Sequence, residues 1–261
     1  MGLFHQKTPM EKEWDALNKR EKKFLAARQE KGDTALNQFL ADKVPPSLQG
    51  TLDAAFFKAF QVIFEKGTGV IEKTYRRDQL EQTYQVNQYA HDLSRNRKTL
   101  KAFSKGAKSA GTKGVLLSGA SGIGMGLLGV GLPDIPLFTG MILRTVYEIA
   151  LGYGYNYDTE KERYFILLLI QGAVSHGDTL AQIDRQLNDF ITNPVLPEEY
   201  HKEGQIQAAA GALSKELLYM KFLQGIPVVG AIGGIYDVVY MKQITEYAKL
   251  KYQRRFLKSK S

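Results

Sequence analysis

A nearly uncharged, glycine-rich stretch in the middle of the chain constrains the fold more than any other feature. Residues 114–143 carry a single charge, on Asp134, and eight glycines fall between positions 111 and 131. A water-exposed helix would not tolerate so much glycine, because each glycine costs about 1 kcal/mol relative to alanine. The stretch must therefore pack against another surface, and the rest of the chain is expected to supply it.

A proline-bounded corner around Asp134 divides this stretch into the two arms of a predicted helical hairpin, whose second arm ends near residues 152–154. Small residues recur every four positions in the first arm, a spacing that lets helix backbones approach closely. The predicted packing and tip residues of the hairpin are Gly114, Ser118, Gly122, Gly126, Pro133, Asp134 and Pro136.

Three environments for this hairpin can be ranked from the sequence. Burial in a protein core is the first choice, and a re-entrant or interfacial hairpin in lipid is the second. A full membrane pass needs about 20 apolar residues. Residues 114–133 only just reach that length, are only weakly apolar and are followed directly by an acid, so a transmembrane helix is the least favoured.

Helical periodicity in the remaining chain predicts an all-α fold. Leu52, Phe56, Phe60 and Phe64 recur every four residues, which is typical of a buried helix face. Residues 164–170 are almost wholly apolar and predict a central buried helix. We expect an N-terminal amphipathic helical arm over residues 1–45, begun by a capping box at Thr8, and a single helical domain over residues 46–261. Cysteine is absent, which excludes a disulfide framework and a thiol nucleophile.

The excess positive charge is concentrated in two runs that flank apolar, glycine-rich stretches. The chain has a formal net charge of +8, yet no acidic residue occurs between Asp92 and Asp134 or after Glu246. The cations of these runs that are predicted to meet a membrane surface are Arg95, Arg97, Lys98, Lys101, Lys105, Lys108, Lys113, Lys249, Lys251, Arg254, Arg255 and Lys258.

Such runs indicate an anionic partner, and their position favours a membrane over nucleic acid. Basic residues beside apolar segments are attracted to anionic lipid at about 1 kcal/mol each. Phe103 is the only aromatic residue in the first run, so a platform for base stacking is lacking. The pattern therefore disfavours nucleic acid as the partner.

Charged residues within apolar helices are a separate signal. Arg144 and Glu148 lie one turn apart in the second arm of the hairpin, and Asp237 is isolated in another apolar segment. Charges in such places are usually paired. We predict a buried charge network of Arg144, Glu148 and Asp237 with a structural role.

No motif in the sequence names a reaction. Residues 124–129 match the G-x-G-x-x-G dinucleotide pattern, but no strand precedes them as that motif requires. The four histidines are scattered, with no metal-ligand spacing, and no Walker A loop or G-x-S-x-G elbow is present. No cofactor is expected. An enzyme would show itself by a pocket in which Asp134, Glu148 or Asp237 has a perturbed pKa.

The chain resembles the EcsC family. The resemblance rests on residues 132–155, LPDIPLFTGMILRTVYEIALGYGY, on the helix over residues 160–172 and on the segment 227–237, and it spans roughly residues 56–248. It implies an all-helical protein without an established activity, named for a bacterial protein encoded beside an ABC transporter. It supplies no catalytic residues.

The sequence therefore predicts a non-enzymatic accessory or interaction protein, held peripherally at the inner face of the bacterial cytoplasmic membrane. An anionic membrane surface, with a membrane protein as a further partner, is the expected contact. The alternative is a soluble helical protein that holds a hydrophobic ligand, lipid or peptide, between its glycine-rich helices. An uncharacterised hydrolase is the second alternative.

Overall fold

The computed structural model describes residues 7–29, 46–117, 134–223 and 235–261, and every regular element in these ranges is helical. The predicted all-α class is confirmed. The α-helices are α1 (Pro9–Ala26), α2 (Pro46–Val62), α3 (Thr68–Glu72), α4 (Arg77–Leu93), α5 (Arg97–Leu117), α6 (Asp134–Gly152), α7 (Glu160–Val174), α8 (Gly177–Thr192), α9 (Lys202–Leu223) and α10 (Ile235–Lys260), and a π-helical turn (Ile63–Gly67) joins α2 to α3.

Helix α1 begins at the predicted capping box. The Thr8 side chain accepts from the Glu11 backbone N–H, and the Glu11 carboxylate accepts from the Thr8 N–H. The helix packs against α10 and α5, with Leu17 and Phe24 buried, so its apolar face is covered by the body of the protein. The proposed boundary at residue 45 lies outside the described residues and stays a prediction.

Three helices form the centre of the molecule. Every residue from Tyr164 to Ile170 in α7 is buried, which matches the central helix predicted from the sequence. Helix α10 packs against α7, α6, α8 and α1, and α2 packs against α6 and α9 through its predicted aromatic face. Phe56 and Phe60 on that face are fully buried.

Helices α5 and α6 pack side by side. The Tyr153 hydroxyl, just after α6, donates to Ser104 Oγ at 3.3 Å, and the Gly152 backbone closely approaches Ala107. The middle of α5 thus meets the end of α6. Gly114 lies in α5, and Asp134 and Pro136 lie in the first turn of α6. Ser118, Gly122, Gly126 and Pro133 lie outside the described residues.

The second arm of the hairpin is a core helix. Within the described ranges, only residues 135–152 are long and apolar enough to cross a membrane, and 78% of that window is buried inside the protein. Ile142, Leu143 and Val146 are fully buried. For α6, the first-choice expectation of burial in the protein core therefore agrees with the packing.

Candidate functional site

The C-terminal basic run is largely turned inward. Lys251 on α10 is fully buried, and its Nζ lies 2.7 Å from Asp184 Oδ1 and 3.1 Å from Glu21 Oε1. It also donates to Asn188 Oδ1 at 3.0 Å. The Tyr247 hydroxyl donates to the same Asp184 oxygen at 2.7 Å, and burial together with that carboxylate raises the pKa of Tyr247 far above its ordinary value. Lys251 thus joins α10 to α1 and α8.

Two arginines of the same run also bind acids of other helices. Arg254 forms a bidentate pair with Glu21, with Nε 2.9 Å from Oε2. Arg255 donates to Glu162 Oε2 at 2.6 Å, and the Tyr252 hydroxyl donates to Oε1 of the same carboxylate at 2.6 Å. The Arg255 guanidinium also stacks on the Tyr155 ring, 4.1 Å from its centroid.

These contacts correct the prediction that Lys251, Arg254 and Arg255 face a membrane. A buried cation with two acidic partners has no charge left to attract lipid, and the acids that neutralise these residues lie on α1, α7 and α8. Lys258 is exposed and Lys249 is partly buried. The C-terminal run is mainly a structural charge cluster.

The first basic run is oriented differently. Arg95, Lys98, Lys101 and Lys105 are exposed. Arg97 donates to Glu13 Oε1 at 2.6 Å and is therefore partly neutralised. Lys108 and Lys113 belong to α5, but their side chains lie outside the described part of the structure.

A groove of about 840 Å³ runs between α1 and α5. It is lined by Arg20, Arg97, Lys98, Lys101 and Lys105. The one acid in its lining is Glu13, which forms a salt bridge with Arg97. The groove and the exposed face of α5 therefore form one cationic surface.

An exposed apolar stripe lies on the neighbouring helix, α4. Val86, Tyr89 and Leu93 have 67%, 69% and 71% of their surface exposed, and they occur at positions i, i+3 and i+7 of one helix face. Large apolar side chains so exposed and so aligned are unusual unless they meet a partner or a membrane.

Contacts between α4 and α5 show which way the stripe points. Tyr84 and His91 of α4 both face Phe103 of α5, with ring centroids 5.6 and 6.2 Å apart. At about 100° per residue, the apolar stripe lies on the opposite side of α4 from these inward residues.

The same reasoning applies to α5. Its buried residues are Leu100, Phe103 and Ala107, and the exposed lysines lie about 130–190° around the helix from the middle of that buried face. Both sets thus point away from the core, the stripe on α4 and the lysines on the adjacent helix α5. We call this surface the outer face; its residues are Val86, Tyr89, Leu93, Lys98, Lys101 and Lys105.

Sequence reasoning found the lysines of the outer face and missed its apolar half. A stripe at positions i, i+3 and i+7 is also the signature of a buried helix face, so this pattern alone does not show whether Val86, Tyr89 and Leu93 are buried or exposed.

The predicted charge pair in α6 is present. Arg144 Nε donates to Glu148 Oε1 at 3.0 Å, and the carboxylate is almost fully buried. Burial raises the pKa of Glu148, and the guanidinium opposes part of that rise. The side chain of Asp237, the third member of the predicted network, lies outside the described residues. The salt bridge with Arg144 gives the buried Glu148 carboxylate a structural role.

The two alternatives raised by the sequence, a hydrophobic-ligand protein and an uncharacterised hydrolase, stay predictions. The hydrophobic ligand was predicted to lie between the glycine-rich helices, and residues 118–133 and 224–234 of those segments lie outside the described ranges. In the described part of the chain, no group of three or more acids and histidines is arranged to hold a metal ion.

Comparison with known proteins places the chain in a family. Protein EcsC of Bacillus subtilis (strain 168) is 25% identical over 151 residues, which cover 54% of this chain and 58% of that protein. The match thus spans less than two thirds of that relative's length. No solved structure matches the chain. The profile of the EcsC protein family matches residues 11–257. The chain, which this match covers almost from end to end, therefore belongs to the EcsC protein family.

Proposed function

We propose that this protein is a non-enzymatic accessory or interaction protein that binds peripherally to an anionic membrane through its outer face. The observation that carries the proposal is that an exposed apolar stripe on α4 and exposed lysines on α5 occur on two adjacent helices. Neither half alone would favour a membrane over a protein partner.

The two halves of the face have separate roles. Val86, Tyr89 and Leu93 can enter the boundary between headgroups and acyl chains, where interfacial helices bury their apolar side to a depth of about 5–10 Å. Lysines beside such a stripe attract anionic lipids, and their long stems let the charge remain at the headgroup level.

The charge balance of this region favours binding to an anionic membrane, because the region is strongly cationic. Over residues 82–113 the only acidic residue is Asp92, and its carboxylate accepts from Gln88 Nε2 at 2.8 Å. The cationic groove beside α1 extends the same positive field. The inner leaflet of the bacterial cytoplasmic membrane is anionic, so we place the protein there, with a membrane protein such as a component of an ABC transporter as a further partner.

Vesicle flotation tests the proposal. We expect the protein to float with vesicles that contain phosphatidylglycerol and to stay behind with pure phosphatidylcholine, with binding that weakens as salt rises. The triple substitution Lys98→Gln, Lys101→Gln and Lys105→Gln should reduce partitioning roughly a hundredfold, because each lysine contributes about 1 kcal/mol.

The matched control removes the same net charge elsewhere. Lys58→Gln, Lys161→Gln and Lys242→Gln change exposed lysines of α2, α7 and α10 and should leave most of the binding intact. Equal losses for the two triple variants would show that only total charge matters. Equal flotation with neutral vesicles in high salt would remove the electrostatic part of the proposal.

A further inference from the structure

A polar cavity lies away from the outer face, where the junction of α7 and α8 meets α2 and α9. Its volume is about 520 Å³, which is within the range of small-molecule sites. Hydrogen-bonding side chains dominate its wall, among them Gln49, Asp53, Gln171, His176, Lys215 and Glu216.

His176 and Glu216 form the buried part of this wall. They are 5% and 1% exposed, and His176 Nε2 lies 3.0 Å from Glu216 Oε2. That separation suits an ion pair, but its angles are not those of a hydrogen bond. In the part of the chain that the structure describes, neither ring nitrogen and neither carboxylate oxygen has a hydrogen-bond partner.

Such a pair is costly without a further partner. A buried polar group that lacks a hydrogen bond destabilises the folded state, and a charged group does so more strongly. Two neighbouring groups form their hydrogen bonds elsewhere and not with His176 or Glu216. Asp53 accepts from Ser214 Oγ, and the Ser175 hydroxyl donates to the Gln171 carbonyl at 2.8 Å. The cavity therefore presents hydrogen-bonding capacity that the chain itself does not use.

The backbone around the pair is held in place. The Glu216 carbonyl accepts from the Tyr240 hydroxyl at 2.8 Å, and the Gly177 N–H donates to the Arg28 carbonyl at 3.2 Å. The Arg28 guanidinium lies over the Phe24 ring, 3.6 Å from its centroid, and donates to the Phe24 carbonyl. The backbone of both residues of the pair is thus held in place beside a cavity large enough to admit a ligand that supplies the missing hydrogen bonds.

We propose that this cavity binds a small molecule that carries a primary ammonium group. An ammonium offers three donors and no acceptor, which suits a carboxylate whose two oxygens both lack donors. The charged lining residues are Asp53, Glu216 and Lys215, and their one net negative charge disfavours an anion. The glutamine amides and His176 can bind hydroxyl or carbonyl groups elsewhere on the ligand. This site is independent of the membrane surface proposed above.

Isothermal titration calorimetry on the full chain tests the site with three amines: putrescine, ethanolamine and lysine. Matched neutral probes are 1,4-butanediol and ethylene glycol, which replace the ammonium groups of the first two by hydroxyls. We expect saturable heat from at least one amine and none from its neutral counterpart. A folded protein that binds none of the three amines would overturn the proposal, and so would equal binding of amine and diol.

Two variants and one control assign any binding to this cavity. Glu216→Gln should weaken it roughly tenfold to a hundredfold, which is the loss of one charge-assisted hydrogen bond. Gly211→Leu fills the cavity from a helical position where an added Cβ meets no atom within 4 Å, so binding should be lost while the fold is kept. Glu203→Gln, at an exposed position of the same helix, should leave binding unchanged.

Circular dichroism would establish that each variant is folded. Retention of amine binding by folded Gly211→Leu would place the site elsewhere and overturn the assignment.

Discussion

Replacing Lys251 by methionine is expected to lower the free energy of unfolding by about 3–5 kcal/mol, the cost of removing one partner from a buried ion pair. The side chain is fully buried between Asp184 and Glu21. Methionine fills nearly the same volume but leaves Asp184 without its ammonium partner. Glu21 still has its salt bridge with Arg254, so most of the lost stability should come from the unpaired carboxylate of Asp184.

Lys258→Met is the matched control, because it removes an exposed lysine from the same helix. Surface changes of this kind usually stay within about 0.5 kcal/mol. Adding Asp184→Asn to Lys251→Met should recover part of the stability, since the uncompensated carboxylate is gone. Urea unfolding of the four proteins measures these differences. Equal effects of Lys251→Met and Lys258→Met would mean that Lys251 is not an internal ion-pair residue.

Replacing Gly154 by alanine is expected to cost about 2–4 kcal/mol. Gly154 lies in the turn that follows α6 and has a φ of 82°, in the left-handed region that costs an L-residue about 1–2 kcal/mol. A Cβ there would also lie 2.6 Å from Cε2 of Tyr84, and overpacking of this kind costs about 1–3 kcal/mol. The backbone strain and the steric clash add at the same residue, so the loss of stability should be large for the addition of one methyl group.

The two contributions can be separated by relieving the steric one. Tyr84→Leu combined with Gly154→Ala should cost less than the sum of the single changes, because the shortened side chain leaves room for the methyl group. Gly50→Ala is the control within a helix, where an added Cβ meets nothing within 4 Å and stability should rise by up to about 1 kcal/mol. Strict additivity of the Tyr84 and Gly154 changes would contradict the predicted contact.

Local patterns predicted the helical core well. The every-fourth-residue stripe of α2, the apolar run of α7 and the capping box at Thr8 all involve residues close in sequence, and all three are present. The Arg144–Glu148 pair lies one turn apart and was predicted for the same reason. Short-range periodicity is visible in a single sequence because the helix itself brings these residues together.

Long-range pairing was not predictable in the same way. The basic run of α10 looks like the basic run of α5, yet the acids that neutralise Lys251 lie far away in sequence, at Glu21 and Asp184. The His176–Glu216 pair joins two helices in the same manner. Only the tertiary packing decides which cations of a basic helix reach solvent, and so the outer face was identified only in its α5 half.

A fluorescent label at Leu93 tests the membrane-binding outer face most directly. The chain has no cysteine, so Leu93→Cys gives a single attachment point for the environment-sensitive dye NBD, at a side chain that is 71% exposed. Val195→Cys, at a side chain that is 59% exposed after α8, is the control. With phosphatidylglycerol vesicles, we predict that NBD emission at position 93 shifts to the blue and brightens, while emission at position 195 stays unchanged. A response at position 195 without one at position 93, or no response at either position, would contradict membrane binding through the outer face.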